Sequence, residues 1–449
     1  MSAPSSPFLT ALDPRQAVEG SRDPLGLQPM WSTLGRQLVG NLTTVATSVR
    51  GFTTLMLGLE FANRLVDAKE GDEAARVEAF LKFEQLAAYS RYAWQAETGD
   101  GVAGLRGIRR VSTRFARASD RLWISNDRDG RILGEQKTYG LWGLYSVPAR
   151  DSGLREKAIA RLTFSAGEHA RGRLSEALRA HKLRDGDAVV ALLAADQNFD
   201  PRGKHKAIGR CLADLHLPRF TADESVFYRD ALLLGGKPAE ARQGRLWACI
   251  DRANDDDTWP EDLGMHELRR IRAAALPGDE DIVERLDWIE GVESVLAPWS
   301  YAFQYVLASH GVGADEVADG LSKAWGTGLP WVDVSRASPA LDILAGATTA
   351  GTPDRLRRGA VALRGGKWRE VVDGLLAQNA AVMDARGSGP WARVVNDKLD
   401  VRFRGDAADL PSPDDLRDTL VNPYYLGALK TVGRTLTRPA LGDRSEADE

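Results

Sequence analysis

Apolar residues recur every three or four positions through most of the chain, which is the spacing of one face of an α-helix. The first strong stretch predicts a helix over 42–66, with Asn41, Thr43 or Thr44 as its N-cap. Further helices are predicted over 73–96, 105–121, 206–216, 225–234, 240–253, 262–275, 280–309, 314–325, 368–385 and 422–436. The pattern therefore predicts a mainly α fold.

The helical pattern is interrupted between 121 and 185. Gly153-Leu154 is followed by Arg161-Leu162-Thr163 and then Gly167. This order resembles the strand, wing and return strand of bacterial winged-helix proteins. The resemblance implies a two-stranded hairpin over 154–163 and a helix start near Ala166. We expect a small winged-helix-like α+β insert between multi-helix N- and C-terminal regions.

The regions predicted along the chain follow from these changes in pattern and from clusters of Pro, Gly and charged residues. They are a loose N-terminal lead-in at 1–24, an N-terminal helical region at 25–120, the winged-helix-like region at 121–185, a C-terminal helical region at 186–441 and a disordered tail at 442–449. Linkers are predicted at 254–257, 326–352 and 386–413.

Composition narrows the class of protein. With 449 residues and 43% hydrophobic side chains, the chain can bury the cores of two or three domains. The net charge of −4 excludes a uniformly basic nucleic-acid coat protein but permits a local basic patch. Two cysteines, Cys211 and Cys249, give neither a disulfide framework nor a zinc motif. Without an apolar signal segment or a long apolar run, we expect a cytoplasmic protein with no membrane partner.

Several segments resemble a family of uncharacterised bacterial proteins that are often encoded in antiviral defence islands. Asp23-Pro24-Leu25-Gly26-Leu27 matches its "L-G-L" opening, and Leu42 to Phe52 is similar to its "P-G-x-T-T-x-T-x-R-x-R-Y" segment. In this chain Gly40-Asn41 replaces the Pro-Gly, Ser48 the first Arg and Phe52 the Tyr. The block from Tyr139 to Tyr145 and the segment from Asn422 to Leu426 are similar to later elements. The resemblance implies a defence setting and other defence proteins as partners, without assigning a reaction.

The motifs for common catalytic and cofactor sites are incomplete, so no catalytic residue, metal ligand or cofactor is assigned. Residues 99–104 match G-x-G-x-x-G, but a predicted helix precedes them where a nucleotide-binding fold needs a strand. Gly236-Lys237 and Gly366-Lys367 lack the Ser or Thr of a phosphate-binding loop. His266-Glu267 lacks a second His, since Arg270 stands in its place.

One group of charged residues is also consistent with a nuclease function. Asp127 or Asp129, followed by Glu135 and Lys137, resembles the Asp and E-x-K residues that hold a divalent metal in many nucleases. Those residues lie on adjacent strands in such enzymes. The alternative interpretation is a turn followed by the start of a helix.

A basic stripe is the main indication of a binding function. Arg106, Arg110, Arg114, Arg117 and Arg121 follow spacings of four, four, three and four, and so share one face of a helix. Arg155, Lys157 and Arg161 add positive charge on the suggested wing. An anionic partner would relieve the repulsion within the stripe. Acidic side chains elsewhere in the fold would do so too.

We therefore predict a non-enzymatic accessory protein of a bacterial antiviral defence system that contacts double-stranded DNA and acts as a scaffold. The two alternatives are a metal-dependent nuclease of the D…ExK type and a purely structural subunit whose arginine stripe meets an acidic protein.

Overall fold

The computed structural model describes residues 23–67, 72–95, 105–117, 122–234, 238–254, 258–260, 263–406 and 409–437. The elements of the first half are α1 (Leu27–Arg36), α2 (Val49–Asp67), α3 (Glu73–Gln95), α4 (Ile108–Arg117), β1 (Leu122–Ile124), α5 (Gln136–Tyr139), α6 (Leu141–Asp151), α7 (Phe164–Ala180), α8 (Asp187–Ala194), β2 (Gln197–Phe199), α9 (Lys206–Asp214), α10 (Ala222–Tyr228) and a π-helical segment (Arg229–Leu234).

The elements of the second half are α11 (Pro238–Ala253), α12 (Met265–Ala273), α13 (Glu280–Ala308), α14 (Ala314–Trp325), α15 (Val334–Leu344), α16 (Thr352–Arg364), α17 (Trp368–Ala385), β3 (Ala392–Val395), β4 (Lys398–Val401), α18 (Pro413–Arg417) and α19 (Leu426–Thr437). The predicted mainly α fold is confirmed. In the described ranges the sheets are two antiparallel pairs, β1 with β2 and β3 with β4.

Contacts divide the chain into two compact units. Unit 1 comprises 1–38 and 249–424, and unit 2 comprises 39–248 and 425–449. These boundaries differ from the predicted regions 25–120, 121–185 and 186–441, because both units join segments that are distant in sequence. Most of the predicted lead-in 1–24 and the predicted tail 442–449 lie outside the described residues.

Unit 2 is built around the pair α2 and α3. Helix α2 is buried on nearly every side and packs on α3, α6, α7 and α8. At its start, the Arg50 guanidinium lies 2.7 Å from the Glu224 carboxylate, and both side chains are buried. Glu224 also completes a capping box with Thr221 at the start of α10. Because a buried charge requires a partner, this pair fixes α2 against α10.

Unit 1 is organised around the long helix α13, which packs on α1, α12, α15, α16 and α17 within this unit. Its buried Glu293 accepts hydrogen bonds from the Val421 and Asn422 amides, from the Asn422 side chain and from the Tyr424 hydroxyl. Burial raises the pKa of this carboxyl group. The segment from Val421 to Tyr424 is thus held by one side chain of α13.

The predicted start of the helix over 42–66 was wrong. Helix α2 begins at Val49 rather than near Leu42, and the segment before it is irregular. Asn41 does not cap a helix, since its side-chain amide donates to Ser152 Oγ and to the carbonyls of Ala231 and Leu232. A partner distant in sequence therefore replaces the local cap.

Two of the predicted linkers contain regular structure. Helix α15 lies within 326–352, and the β3–β4 hairpin lies within 386–413. The hairpin turns at Asn396-Asp397, where both residues have positive φ (50° and 62°), as a two-residue type I′ turn requires. Helices α1 and α16 were also missed, although Leu27, Met30, Trp31 and Leu34 give α1 the three-or-four spacing of one helical face.

The suggested wing has hairpin-like backbone pairing. Arg155 and Leu162 form an antiparallel bridge, Glu156 N donates to the Arg161 carbonyl, and Thr163 N donates to the Leu154 carbonyl. Helix α7 then starts at Phe164, which places Ala166 in its first turn, as predicted. Strand β1 pairs with β2 instead of this hairpin. A winged helix as a whole therefore stays a prediction.

Among the described helices, none combines the length and the apolar character that a membrane span needs.

Two glycines that approach the same buried indole give a test of packing in unit 1. A Cβ at Gly359 in α16 would lie 2.3 Å from Trp299 Cζ2, whereas one at Gly374 in α17 would lie 3.8 Å from it. We expect Gly359→Ala to lower the free energy of unfolding by about 1–3 kcal/mol through overpacking. Gly374→Ala should change it little or raise it by up to about 1 kcal/mol. Urea denaturation of the two variants measures this, and equal effects would contradict the packing.

Candidate nucleic-acid interface

Helix α4 is shorter than the predicted helix over 105–121. Gly107 precedes it with a φ of 74°, in the left-handed region, and a Cβ there would lie 2.4 Å from the Ile132 carbonyl oxygen. Arg106 therefore lies before the helix and is not part of its basic face. It instead lines a small cavity of about 20 Å³ beside Glu84 and Arg91. Arg121 lies outside the described residues.

The apolar side of α4 packs on α3. Val111 is fully buried, and the Phe115 ring lies 6.0 Å from the Tyr89 ring and 4.9 Å from the Tyr92 ring. Helix α4 contains four arginines and no acidic residue. With one side fixed on α3, its arginines are directed to solvent and to the neighbouring loop.

Arg114 is bound within the fold. Its guanidinium donates to the Tyr89 hydroxyl at 2.6 Å, to the Gly130 carbonyl at 2.8 Å and to the Arg131 carbonyl at 3.0 Å, and it also donates to the Asp129 carbonyl. Burial raises the pKa of Tyr89, so its hydroxyl is neutral and accepts this bond. One member of the predicted stripe therefore already has its donors taken by neutral oxygens of the fold.

The loop that receives Arg114 is anchored to buried amides. Gln85 Nε2 donates to the Ser125 carbonyl at 2.7 Å, and Gln85 Oε1 accepts from Ser125 N at 3.2 Å. Gln136 Oε1 accepts from Ile132 N, and its Nε2 donates to Leu81 O and to Glu84 Oε2. The loop is thereby held at both ends to α3.

A shallow, open depression of about 470 Å³ lies along α4. It is lined by Arg109, Arg110, Thr113, Arg114, Arg117, Arg128 and Asp129, and we call these seven residues the arginine surface. Four of its arginines are exposed: Arg109, Arg110, Arg117 and Arg128. Arg110 donates to the Arg131 carbonyl at 3.0 Å. Within the part of the chain that the structure describes, none of the five arginines forms an ion pair with a carboxylate.

Sequence reasoning missed Arg109 and Arg128. Arg109 falls one position off the predicted stripe, and Arg128 lies in the loop, so helical spacing found neither. The run Arg109-Arg110 and the Asn-Asp-Arg-Asp-Gly turn were the available signals.

The three basic residues of the suggested wing lie outside the arginine surface. Arg155 donates to the Ser146 and Ile159 carbonyls and lies 5.8 Å from the Trp142 ring centroid, and Arg161 pairs with Asp67 at 2.6 Å. Lys157 is exposed. None of the three lines the arginine surface.

The nuclease arrangement does not have the required strands. Asp127 and Asp129 lie in turns, and Glu135 is the N-cap residue of the four-residue helix α5, which contains Lys137. A turn followed by a helix start, the alternative interpretation, is confirmed. In the described ranges no group of three or more His, Cys, Asp or Glu side chains is placed to hold a metal ion. The G-x-G-x-x-G segment at 99–104 lies outside the described residues.

Three segments that carry the family resemblance have structural roles. Asp23 accepts from the Leu27 and Gln28 amides at the start of α1, and Asn422 is held by Glu293. A Cβ at Gly51 would lie 2.4 Å from the Tyr145 ring, which explains the small residue there. No protein-family model, curated protein or solved structure matches the chain.

The contacts of Arg114 predict unequal effects of two arginine substitutions. Arg114→Ala leaves the buried Tyr89 hydroxyl and the Asp129 and Gly130 carbonyls without their charged donor, so it should lower the free energy of unfolding by about 1–3 kcal/mol. Arg117→Ala, on the exposed side of α4, should change it by less than about 0.5 kcal/mol. Urea denaturation measures both, and a fully stable Arg114→Ala protein would contradict the structural role.

The burial of Glu84 predicts that the stability of the fold depends on pH. Burial raises its pKa to about 7, against the opposing effects of the hydrogen bonds from Leu141 and Gln136 and of the Arg106 charge. Because the pKa of Glu84 is higher in the folded state than in the unfolded state, its neutral carboxyl group stabilises the fold fully below pH 4.5. This stabilisation is lost as the pH rises through about 7.

The comparison with Glu84→Gln, which does not titrate, isolates this effect. From pH 5 to pH 8 the wild type should lose on the order of 2 kcal/mol of unfolding free energy relative to the variant. Urea denaturation at the two pH values measures this, and a difference that does not change with pH would contradict it.

Proposed function

We propose that the protein binds the phosphate backbone of double-stranded DNA through the arginine surface and catalyses no reaction itself. The observation that carries the proposal is the depression along α4, where five arginines and one aspartate line the wall and four of the arginines are exposed. Arginine donors match phosphate oxygens in number and geometry. An anion in this depression would offset the mutual repulsion of the arginines.

The spacing of the arginines suits a polymer. Arg110 and Arg117 lie seven residues apart on α4, a rise of about 10 Å at 1.5 Å per residue. A single small anion does not span that length, whereas successive phosphates of a nucleic acid do. Since no base-reading contact is implied, the binding is independent of sequence.

The setting of this activity rests on sequence resemblance. We infer that the protein acts in the cytoplasm as an accessory component of a bacterial antiviral system, scaffolding other defence proteins on DNA. The winged-helix-like interpretation of 121–185 belongs to the same proposal, because this segment contributes Arg128 and Asp129 to the arginine surface.

A salt titration tests DNA contact. Each phosphate contact adds roughly 0.9 to the slope of log affinity against log salt on B-DNA. Replacing Arg109, Arg110 and Arg117 with Ala should flatten the slope by about 2–3 and weaken binding equally on unrelated duplexes. Arg114 is left intact because it supports the fold.

The matched control replaces Arg179, Arg184 and Arg358 with Ala. It removes the same charge from exposed arginines that do not line the arginine surface, so its slope should stay near that of the wild type. An unchanged slope in the first variant, with unchanged unfolding, would exclude phosphate contact there and favour an acidic protein partner. Magnesium-dependent cleavage that Glu135→Ala and Lys137→Ala abolish would instead favour the nuclease.

A further inference from the structure

A second cluster of basic and aromatic side chains lies at the C-terminal end of α3, within unit 2. The chain that follows β2 crosses the last turn of this helix. Trp94 Nε1 donates to the Pro201 carbonyl at 3.1 Å, and the Arg202 guanidinium donates to the Ala93 carbonyl at 3.0 Å and 3.2 Å. These bonds hold the Trp94 side chain against Pro201 and the Arg202 side chain against the end of α3.

The cations of this cluster lie over aromatic rings. Arg210 Cζ is 4.8 Å and Lys206 Nζ is 5.9 Å from the Trp94 ring centroid, and Arg202 Cζ is 5.7 Å from the Phe115 ring centroid. These distances fall within the range of cation–π interaction. Phe115 belongs to α4, so the second cluster continues onto the helix that carries the arginine surface.

The loop that presents these cations is hydrogen-bonded within itself. The Asp200 carboxylate accepts from the Gly203 amide at 2.7 Å and from the Lys204 amide at 3.1 Å, and the Asp200 amide donates to His205 Nδ1. A Cβ at Gly203 would lie 2.1 Å from Asp200 Oδ2, so a side chain there would displace the carboxylate from these hydrogen bonds. A fixed loop loses little conformational entropy when a ligand binds.

Positive charge is concentrated in this loop and in the α9 helix that follows it. Arg202, Lys204, Lys206 and Arg210 are exposed, and no acidic residue occurs between Pro201 and Ala213. Burial lowers the pKa of His205, and its Nδ1 accepts a hydrogen bond from the Asp200 amide. Lys204, Lys206 and Arg210 form no ion pair with any described residue. We call Trp94, Arg202, Lys204, Lys206 and Arg210 the tryptophan surface.

We propose that the tryptophan surface binds single-stranded nucleic acid, a ligand beyond the duplex assigned to the arginine surface. Half-buried rings with interleaved cations suit unpaired bases, because a base stacks on an aromatic ring or a guanidinium plane while lysines contact the backbone. A paired duplex hides its base faces and gains nothing from Trp94. The charge of the surface selects an anionic polymer, and its rings select one with exposed bases.

The experiment measures fluorescence anisotropy of the full-length chain with a labelled oligothymidylate, an oligouridylate of the same length and a blunt duplex. Trp94→Leu should weaken binding of one or both single strands by about 5- to 100-fold, the loss of one stacked base. Trp94→Phe should restore most of it. Lys206→Ala with Arg210→Ala should flatten the single-strand salt slope by about 1.4, at roughly 0.7 per contact. The more strongly bound strand identifies DNA or RNA as the source.

Two controls separate this site from others. Trp123→Leu removes an exposed tryptophan of the same unit, 42% exposed in β1, and should not change binding of the single strands. Lys323→Ala with Arg358→Ala removes two exposed cations of unit 1 and should leave the slope unchanged. Duplex affinity should be the same in Trp94→Leu as in the wild type.

The proposal is overturned if the wild type binds neither single strand. It is also overturned if the variants at Lys206 and Arg210 keep the wild-type slope, a test that does not require Trp94→Leu to fold. Duplex binding that depends on Arg109, Arg110 and Arg117 would then still support the first function. Conversely, single-strand binding that depends on Trp94, without duplex binding, would support this inference alone.

Discussion

The rest of unit 2 depends on the burial of polar side chains on α3. A buried amide or carboxylate must find hydrogen-bond partners, because leaving it unpaired costs about 1–3 kcal/mol. Gln85 and Glu84 meet this requirement with Ser125, Gln136 and Leu141, and so bind the loop between β1 and α6. That loop supplies the carbonyls that receive Arg114. The candidate interface is therefore held in place by a buried network behind it.

Both candidate surfaces are also supported by helix α3. The aromatic residues Tyr89, Tyr92 and Trp94 follow one another along the end of α3, and Phe115 and Pro201 pack against them. The apolar and hydrogen-bonding sides of α4 and of the 200–210 segment are occupied by this contact. Most of their arginines and lysines are left to solvent, which concentrates positive charge on this part of unit 2 although the whole chain has a net charge of −4.

The two kinds of arginine on α4 show why charge spacing alone does not define a site. Arg114 and Arg117 are three residues apart and both lie on the predicted stripe. Arg114 donates to four oxygens of the fold, whereas Arg117 lies exposed at the rim of the depression. Their stability effects and their binding effects should therefore separate, and only the exposed arginines are available to a phosphate.

The sequence by itself determined the helical class and many helices, since a 3.6-residue apolar repeat is a local property. The predictions over 314–325 and 368–385 coincide with α14 and α17, and 73–96 nearly coincides with α3. It also determined that α4 would be basic. The tertiary structure decided which segments join into units, where α2 begins, and which arginines are free. Asn41, Arg114 and Glu293 each bond to partners distant in sequence, and no periodic pattern encodes such partners, because they are brought together only when the helices pack.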